Sequence, residues 1–438
     1  MIKNRMLKNA YWIIACKILQ SILNLFVGVI SARYLGPANY GIIAYASSII
    51  AFALPLMQLG LQSILVQEIT HDNENEGKIM GSALTLSIFS SLLCMIGVIG
   101  FTFFANREDS TTVIVCAIYS ISIFFQAAEM IIYWFQAKLL SKYSSIIILL
   151  AYVAVMSYKI YLLATGKNLY WFAFTPVING FLVALGLVVV YLKKGAQKLS
   201  FSLSYAKKLF SKSKFFIISS MMITIFQNTD KLMIQSMLGE AYVGYYTAAL
   251  TVAGVVGFVY SAIIDSANPV IIEAKKIEQA KFEKNISSLY SVIFYLAIIQ
   301  GLVITLLAEP IIQILYGAAY APAISALRVG VWQISFSCFG TVRNIWMWAE
   351  KKYKYIWIID VSGAILNVIL NYFLIPIWGI SGAAFASFAT QFFANFLLGF
   401  IIKPIQKNNF LLMKGCNPIY LISFVKTYLK KKEKLKEE

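Results

Sequence analysis

Apolar runs of roughly 20 residues, each long enough as a helix to cross the hydrocarbon layer of a bilayer, alternate with short polar breaks along the whole chain. The pattern predicts twelve spans. The first six cover about 11–32, 41–66, 80–104, 113–136, 144–165 and 169–192, and the second six about 215–238, 241–268, 287–308, 323–349, 355–378 and 380–402. The polar breaks fall into two sets by charge. The N-terminus, 67–79, 137–143, 193–214, 269–286, 350–354 and the tail from Lys403 hold 29 of the 37 Lys and Arg residues. The alternate breaks hold three, Arg33, Arg107 and Lys167, and five lie inside spans. Cationic loops stay in the cytoplasm during insertion, so this asymmetry predicts an even number of spans with both termini cytoplasmic.

Composition agrees. The 438 residues are 60% hydrophobic and only 13% charged, against about a quarter charged in soluble domains. Mean hydropathy is +0.76. The net charge of +18 suggests nucleic acid at first, but its confinement to alternate loops is the pattern of membrane insertion, so no nucleic-acid partner is expected. The first apolar run follows Lys3, Arg5 and Lys8, exceeds a signal-peptide core and lacks a small-residue cleavage site. It is read as the first span. The cysteines Cys16, Cys94, Cys116, Cys338 and Cys416 are scattered, and His71 is a single histidine in a polar loop, so neither a disulfide framework nor a metal site is expected. No cofactor is implied. The chain has no GxxxxGK[ST] loop for ATP hydrolysis and no Gly-rich dinucleotide turn. Its short external turns lack room and paired carboxylates for sugar-transfer chemistry, so it is not expected to be an enzyme.

One heptapeptide recurs. Leu35-Gly36-Pro37-Ala38-Asn39-Tyr40-Gly41 joins spans 1 and 2, and Leu238-Gly239-Glu240-Ala241-Tyr242-Val243-Gly244 joins spans 7 and 8, 203 residues later. Six spans per repeat is even, so the halves have the same orientation and a pseudo-two-fold axis along the membrane normal, with a cavity expected at their interface. The expected organisation is a six-helix bundle over 1–192, a basic cytoplasmic linker over 193–214, a second six-helix bundle over 215–402 and a basic cytoplasmic tail over 403–438.

Charges inside spans are costly and mark either structural pairs or a polar pathway. Asp230 and Lys231 are adjacent in span 7, about 100° apart around a helix, so each is expected to find its own partner or face water. Val27-Gly28 occupies the same place in span 1, so the shared scaffold does not require the pair. Lys17, Asp265 and Asp360 are near cytoplasmic ends, where snorkelling is the ordinary reading. Arg328 is near the outer end of span 10. Glu129, Lys159, Lys231 and Arg343 are deeper, and three of these four are cations. A cation-lined cavity suits a phosphate or pyrophosphate group. Glu129 is a candidate for ion coupling, or neutralises one of the cations. Gln126, Asn179, Asn228, Asn367 and Asn371 are assigned to interhelical hydrogen bonds, and Gly379, Gly382, Ala383 and Ala384 to close packing. Trp12, Trp171, Trp357 and Trp378 suit interfacial anchors, and Tyr133-Trp134 is read the same way.

Five segments carry a family resemblance: 32–41 (ARYLGPANYG), 228–249 (NTDKLMIQSMLGEAYVGYYTAA), Asn268-Pro269, 309–329 (EPIIQILYGAAYAPAISALRV) and 367–387 (NVILNYFLIPIWGISGAAFAS). In this order, over nearly the whole chain, they resemble the polysaccharide-biosynthesis transporters, the lipid-linked oligosaccharide (O-antigen type) flippases of the multidrug/oligosaccharidyl-lipid/polysaccharide exporter superfamily. The resemblance implies an all-α, MATE-like fold of twelve transmembrane helices in two six-helix bundles around a V-shaped cavity. It implies alternating-access transfer of an undecaprenyl-pyrophosphate-linked repeat unit from the cytoplasmic to the periplasmic leaflet of a bacterial inner membrane. It also implies company with the polymerase and chain-length proteins of a lipopolysaccharide or capsule pathway. Lys231 matches the family's Asp-basic pair and Arg328 the basic residue after the Leu-Tyr-Gly turn. Lys17, Lys159 and Arg343 join them as substrate-binding candidates on charge and depth alone, with Asp230 as neighbour of Lys231. The alternatives are a cation-coupled drug or organic-cation exporter of the same superfamily, and a membrane-bound polymerase or ligase.

Overall fold

The computed structural model describes the backbone of residues 2–195 and 197–422, and the side chains of Gln20, Leu23 and Leu25 onward. The described residues are helical throughout, without a β-strand. Packing divides the chain into two compact units, Met1–Gly244 and Tyr245–Glu438.

The first unit is built around α1 (Ile2–Gln58), a long helix broken at Gly36. Gly36 has φ 74° and ψ 169°, a region open essentially to glycine, and Pro37 follows, whose missing N–H is no loss at the first position of a new helix. After α1 come α2 (Leu65–His71), α3 (Glu76–Ala105), α4 (Ser110–Gln126), a 3₁₀ turn over Ala127–Met130, α5 (Ile131–Ala137), α6 (Ser141–Ala164), α7 (Leu169–Ala173), α8 (Thr175–Lys194) and α9 (Leu203–Leu238). Its core is buried Leu61, Ile69, Met80, Trp134, Leu187 and Tyr191. The Trp134 ring meets Tyr191 edge-on at 4.9 Å, so this tryptophan is a core residue and not the interfacial anchor its sequence position suggested. The basic connector crosses the start of α3. Gly77 accepts from the Ser200 N–H at 3.1 Å, and the Ser82 hydroxyl donates to the Ser202 carbonyl at 3.0 Å. α9, which follows, packs on α1 and α3 within this unit.

The second unit contains most of α10 (Glu240–Gly254), then α11 (Gly257–Ile277), α12 (Gln279–Tyr316), α13 (Ala323–Ala349), α14 (Ile356–Phe392), a π-turn over Phe393–Leu397, α15 (Leu398–Ile401) and α16 (Gln406–Gly415). Pro269 lies inside α11, so the Asn-Pro pair that marked the end of span 8 is helical and the helix runs on to Ile277. α14 is broken at Gly379. Across that break Asn367 donates to the Ser387 hydroxyl at 3.2 Å, and within the first half Asn371 donates to Asn367 at 3.1 Å, all buried. The Asn367–Ser387 bond holds the two halves of α14 together, as expected for an amide inside a span. The core gathers Tyr260, Phe282, Tyr290, Phe339, Trp346 and Leu412.

Eight helical segments of the described residues are long and apolar enough to span a membrane, and nine if the pair α10–α11, bent by 41°, counts as one. Their outward faces carry large exposed apolar side chains such as Phe89, Phe104, Leu306 and Ile377, a surface that lipid covers and water would not. The protein is a multi-pass membrane protein. Eight or nine is fewer than the expected twelve, and the breaks at Gly36 and Gly379 divide α1 and α14 further. The tail opens with α16, whose Leu411 and Leu412 are buried against the second unit, and the lysine-rich end, 423–438, lies outside the described residues.

Candidate functional site

Four candidate charges with described side chains fall in the first unit. Glu129 is in the 3₁₀ turn after α4, Lys159 is on α6, and Asp230 and Lys231 are on α9. All three elements pack on α1, so α1 is their common neighbour. Asp230 is buried, with 2% of its surface exposed, whereas Lys231, Lys159 and Glu129 are half-buried. Ion pairs among the described residues join Lys138 to Glu76, Lys208 and Lys212 to Glu68, Lys275 to Glu350 and Lys407 to Glu283, and include none of these three. A charge inside a span without an ion-pair partner is costly unless water or a substrate reaches it.

Lys231 has a second notable neighbour. Leu232, the next residue, lines a cavity of about 600 Å³ between α9, the second half of α1 and α3. Phe52, Leu56, Leu93 and Phe101 are among its wall residues, with Ser90 and Cys94 supplying polar atoms. The Ser90 hydroxyl donates to the Leu56 carbonyl at 2.9 Å, so its hydrogen-bonding capacity is met within the protein. A cavity of this size and polarity accepts a hydrocarbon chain and offers nothing to a sugar.

Lys17 is on α1 in the first unit, its side chain outside the described residues, and the other two candidates lie in the second unit. Arg328 is exposed near the start of α13. Arg343, further along α13, is 3% exposed. It donates to the Ala394 carbonyl at 3.0 Å and to Asn395 at 2.8 Å, both in the π-turn, and to Asn344 at 3.1 Å. Asn395 in turn donates to the Phe336 carbonyl at 2.9 Å. The guanidinium thus meets three neutral oxygens, two of which tie α13 to the end of α14.

The structure also shows a repeat that the sequence reading missed. Trp134-Phe135-Gln136-Ala137-Lys138 and Trp346-Met347-Trp348-Ala349-Glu350 end α5 and α13 in the same way, 212 residues apart. Both tryptophans are buried, and in each copy a non-glycine residue, Leu139 or Lys351, has φ 56°. In each copy the next N–H closes on a carbonyl five residues back at 2.7 Å, Leu140 to Phe135 and Lys352 to Met347. The residue after the shared alanine makes an ion pair of opposite sense. Lys138 meets Glu76 at 2.5 Å, and Glu350 meets Lys275 at 2.5 Å. Only Trp and Ala are identical between the copies, so comparison by residue identity passes over them.

No curated protein sequence matches the chain significantly. Solved structures do. A lipid II flippase, MurJ, superposes with a TM-score of 0.70 over 94% of this chain and 92% of that one, at 16% identity. A multidrug resistance MATE transporter of the MOP superfamily matches with a TM-score of 0.65 at 15% identity, over 90% and 96%. A Vibrio cholerae MATE transporter matches with a TM-score of 0.63 at 12% identity, over 94% and 98%. At these identities the likeness is one of fold alone. The sequence itself matches the model of the polysaccharide biosynthesis protein family over residues 6–275, more than half its length. The chain belongs to the polysaccharide biosynthesis protein family.

Proposed function

We propose that the protein is a flippase for an undecaprenyl-pyrophosphate-linked oligosaccharide repeat unit of the O-antigen or capsule type. It moves this lipid from the cytoplasmic to the periplasmic leaflet of a bacterial inner membrane by alternating access. The reading takes the chain as twelve spans, with bundles over 1–192 and 215–402 joined by the linker 193–214, and with both termini cytoplasmic. It places the protein upstream of the polymerase and chain-length proteins of the same pathway. The observation that carries it is on α9, where Lys231, an intramembrane lysine without an ion-pair partner among the described residues, is followed by Leu232, which lines an apolar cavity of about 600 Å³. A phosphate-bearing lipid needs both features: a cation for the head and a dry wall for the chain. Lys159, Lys17, Arg343 and Arg328 are the further cations proposed for the path, with Asp230 setting the environment of Lys231.

The test is complementation of a deletion strain. Lys231→Ala, at matched protein level, should cut surface polysaccharide at least tenfold and leave single lipid-linked repeat units on the cytoplasmic face. Normal polymer display by that variant would refute the role given to Lys231. Units that are flipped but unpolymerised in the deletion strain would point to an enzyme instead.

Glu129 favours a second reading. A half-buried carboxylate inside a span, outside every ion pair of the described residues, suits cation coupling, as a drug or organic-cation exporter requires. Dye efflux that depends on Glu129, with unchanged polysaccharide, would select that reading.

A further inference from the structure

At the far end of the second unit, α16 and the residues after it close over the first turns of α12 and leave a cavity of about 420 Å³. Lys284, Ser287, Lys414 and Tyr420 line it, with Leu411 and Ile419 beside them. Ser287 is 1% exposed, and its hydroxyl has no hydrogen-bond partner among the described residues. A buried hydroxyl without a partner is costly, and Ser287 belongs to the wall of this cavity. The one carboxylate in the wall, Glu283, is neutralised by Lys407 at 2.5 Å. Lys284 and Lys414 are both exposed and belong to no ion pair of the described residues. Two cations and a hydroxyl donor around one cavity make a site for a phosphate oxyanion.

The surroundings identify the carrier of that phosphate. Phe410, Met413, Ile419 and Ile422 are 49 to 67% exposed on and just beyond α16. A free phosphate gains nothing from them, whereas an acyl chain does. The element is therefore apolar where it would enter a bilayer and cationic where headgroups lie. We propose that this cavity seats the phosphate of an anionic phospholipid, whose acyl chains run along Phe410, Met413 and Ile419. The lipid holds α16 against α12 at the membrane surface. A zwitterionic lipid is disfavoured because its choline cation would meet the two lysines. The site belongs to the second unit and stands whether or not the chain carries a glycan lipid.

The test uses full-length protein in detergent, titrated by native mass spectrometry with phosphatidylglycerol or phosphatidylcholine of equal chain length. Wild type should retain phosphatidylglycerol preferentially. Lys284→Gln with Lys414→Gln should weaken that retention roughly thirtyfold, about fivefold for each lysine and slightly more together, with phosphatidylcholine unaffected. Ser287→Ala should weaken it about fivefold. Lys284→Arg with Lys414→Arg keeps the charge and should keep the lipid, which separates loss of binding from loss of folding. Equal retention of the two lipids by wild type overturns the proposal, as does retention unchanged in the Gln double variant. Displacement of phosphatidylglycerol by millimolar inorganic phosphate would assign the site to a soluble anion and overturn the lipid reading.

Discussion

The two LGxAxxG turns are alike in backbone and unlike in what precedes them. Gly36 has φ 74° and ψ 169°, and Gly239 has φ 96° and ψ 175°. Five residues further on, the copies meet. A Cβ on Gly41 would lie 1.7 Å from the Glu240 carbonyl oxygen, and a Cβ on Gly244 would lie 2.1 Å from the Pro37 carbonyl oxygen. Glu240 and Pro37 are equivalent positions, so each copy presents to the other the surface it receives, a self-complementary contact like that of a two-fold dimer. Upstream the likeness ends. Gly28, with nothing within 4 Å of its missing Cβ, stands where α9 has Lys231. The shared turn is a packing device. The charge pair is an addition to one copy, and a charge that packing does not require is where function is most economically sought.

The contact is the first place to break the comparison. Gly41→Val puts a branched side chain into backbone that cannot move aside, and Gly244→Val does the same from the other side. Each should cost about 3 kcal/mol or more. The expected result is a collapse of folded yield in detergent and a large fall in unfolding temperature for either variant, with Gly28→Ala close to wild type. A well-folded Gly41→Val protein would show that the two turns do not touch.

The second comparison concerns transport. Lys231→Ala removes the feature that α1 lacks, so it should abolish export while leaving the unfolding temperature within about 1 kcal/mol of wild type in stability terms. If both fall together, Lys231 holds the fold and its likeness to Gly28 is misleading.

The pair at the ends of α5 and α13 offers a third. Glu76 is 2% exposed, so loss of Lys138 leaves a buried carboxylate without its cation, at a cost of about 2 kcal/mol. Lys138→Glu should cost more than Lys138→Gln, and adding Glu76→Lys should recover part of the loss because the second unit shows the reversed arrangement to be compatible with this turn. A double variant no more stable than Lys138→Glu alone would mean that the sense of the pair is fixed by its surroundings.

Much of this was legible because it depends on properties a single residue carries. The positions of the long apolar helices follow from hydropathy. The glycine turn showed because a positive φ leaves little choice of residue, so both copies kept the same letter. The Trp-Ala turn stayed hidden because its positive-φ residues are Leu139 and Lys351, tolerated through the hydrogen bonds around them, and because its ion pair is reversed. The surroundings of Arg343 were hidden for another reason. Its acceptors come from a π-turn more than 50 residues later, and nothing in a helical pattern announces an unwound carbonyl. Which intramembrane charges find protein partners depends on helix rotation, which hydropathy does not record.

The smallest effect, and one confined to the first unit, concerns Glu68 on α2. Burial pushes its carboxyl upward, but hydrogen bonds and charge from Lys208 and Lys212 outweigh burial and hold its pKa below the usual carboxylate value of 4.5. A lowered folded-state pKa means that the carboxylate form favours the folded protein. Its contribution is complete above the unfolded value and is lost as pH falls from about 4.5 through the lower folded value. Both lysines lie on the first turns of α9, so protonation should loosen the basic connector from α2 before it affects the buried core. Hydrogen exchange, corrected for intrinsic rates, should rise in residues 203–214 between pH 5 and pH 3 by only a fewfold, since exposed lysines contribute about 1 kcal/mol or less. The rise should vanish in Glu68→Gln, where exchange is already fast at pH 7. No counterpart is expected at Glu350 from its own connector, because its lysine lies on α11 and holds that helix end, so acid should loosen residues 271–277 there instead. If residues 203–214 exchange alike at both pH values in the wild type, the Glu68 pairs do not fasten the connector, and its hold on the first unit rests on its hydrogen bonds to Asp72, Asn73, Gly77 and Ser82.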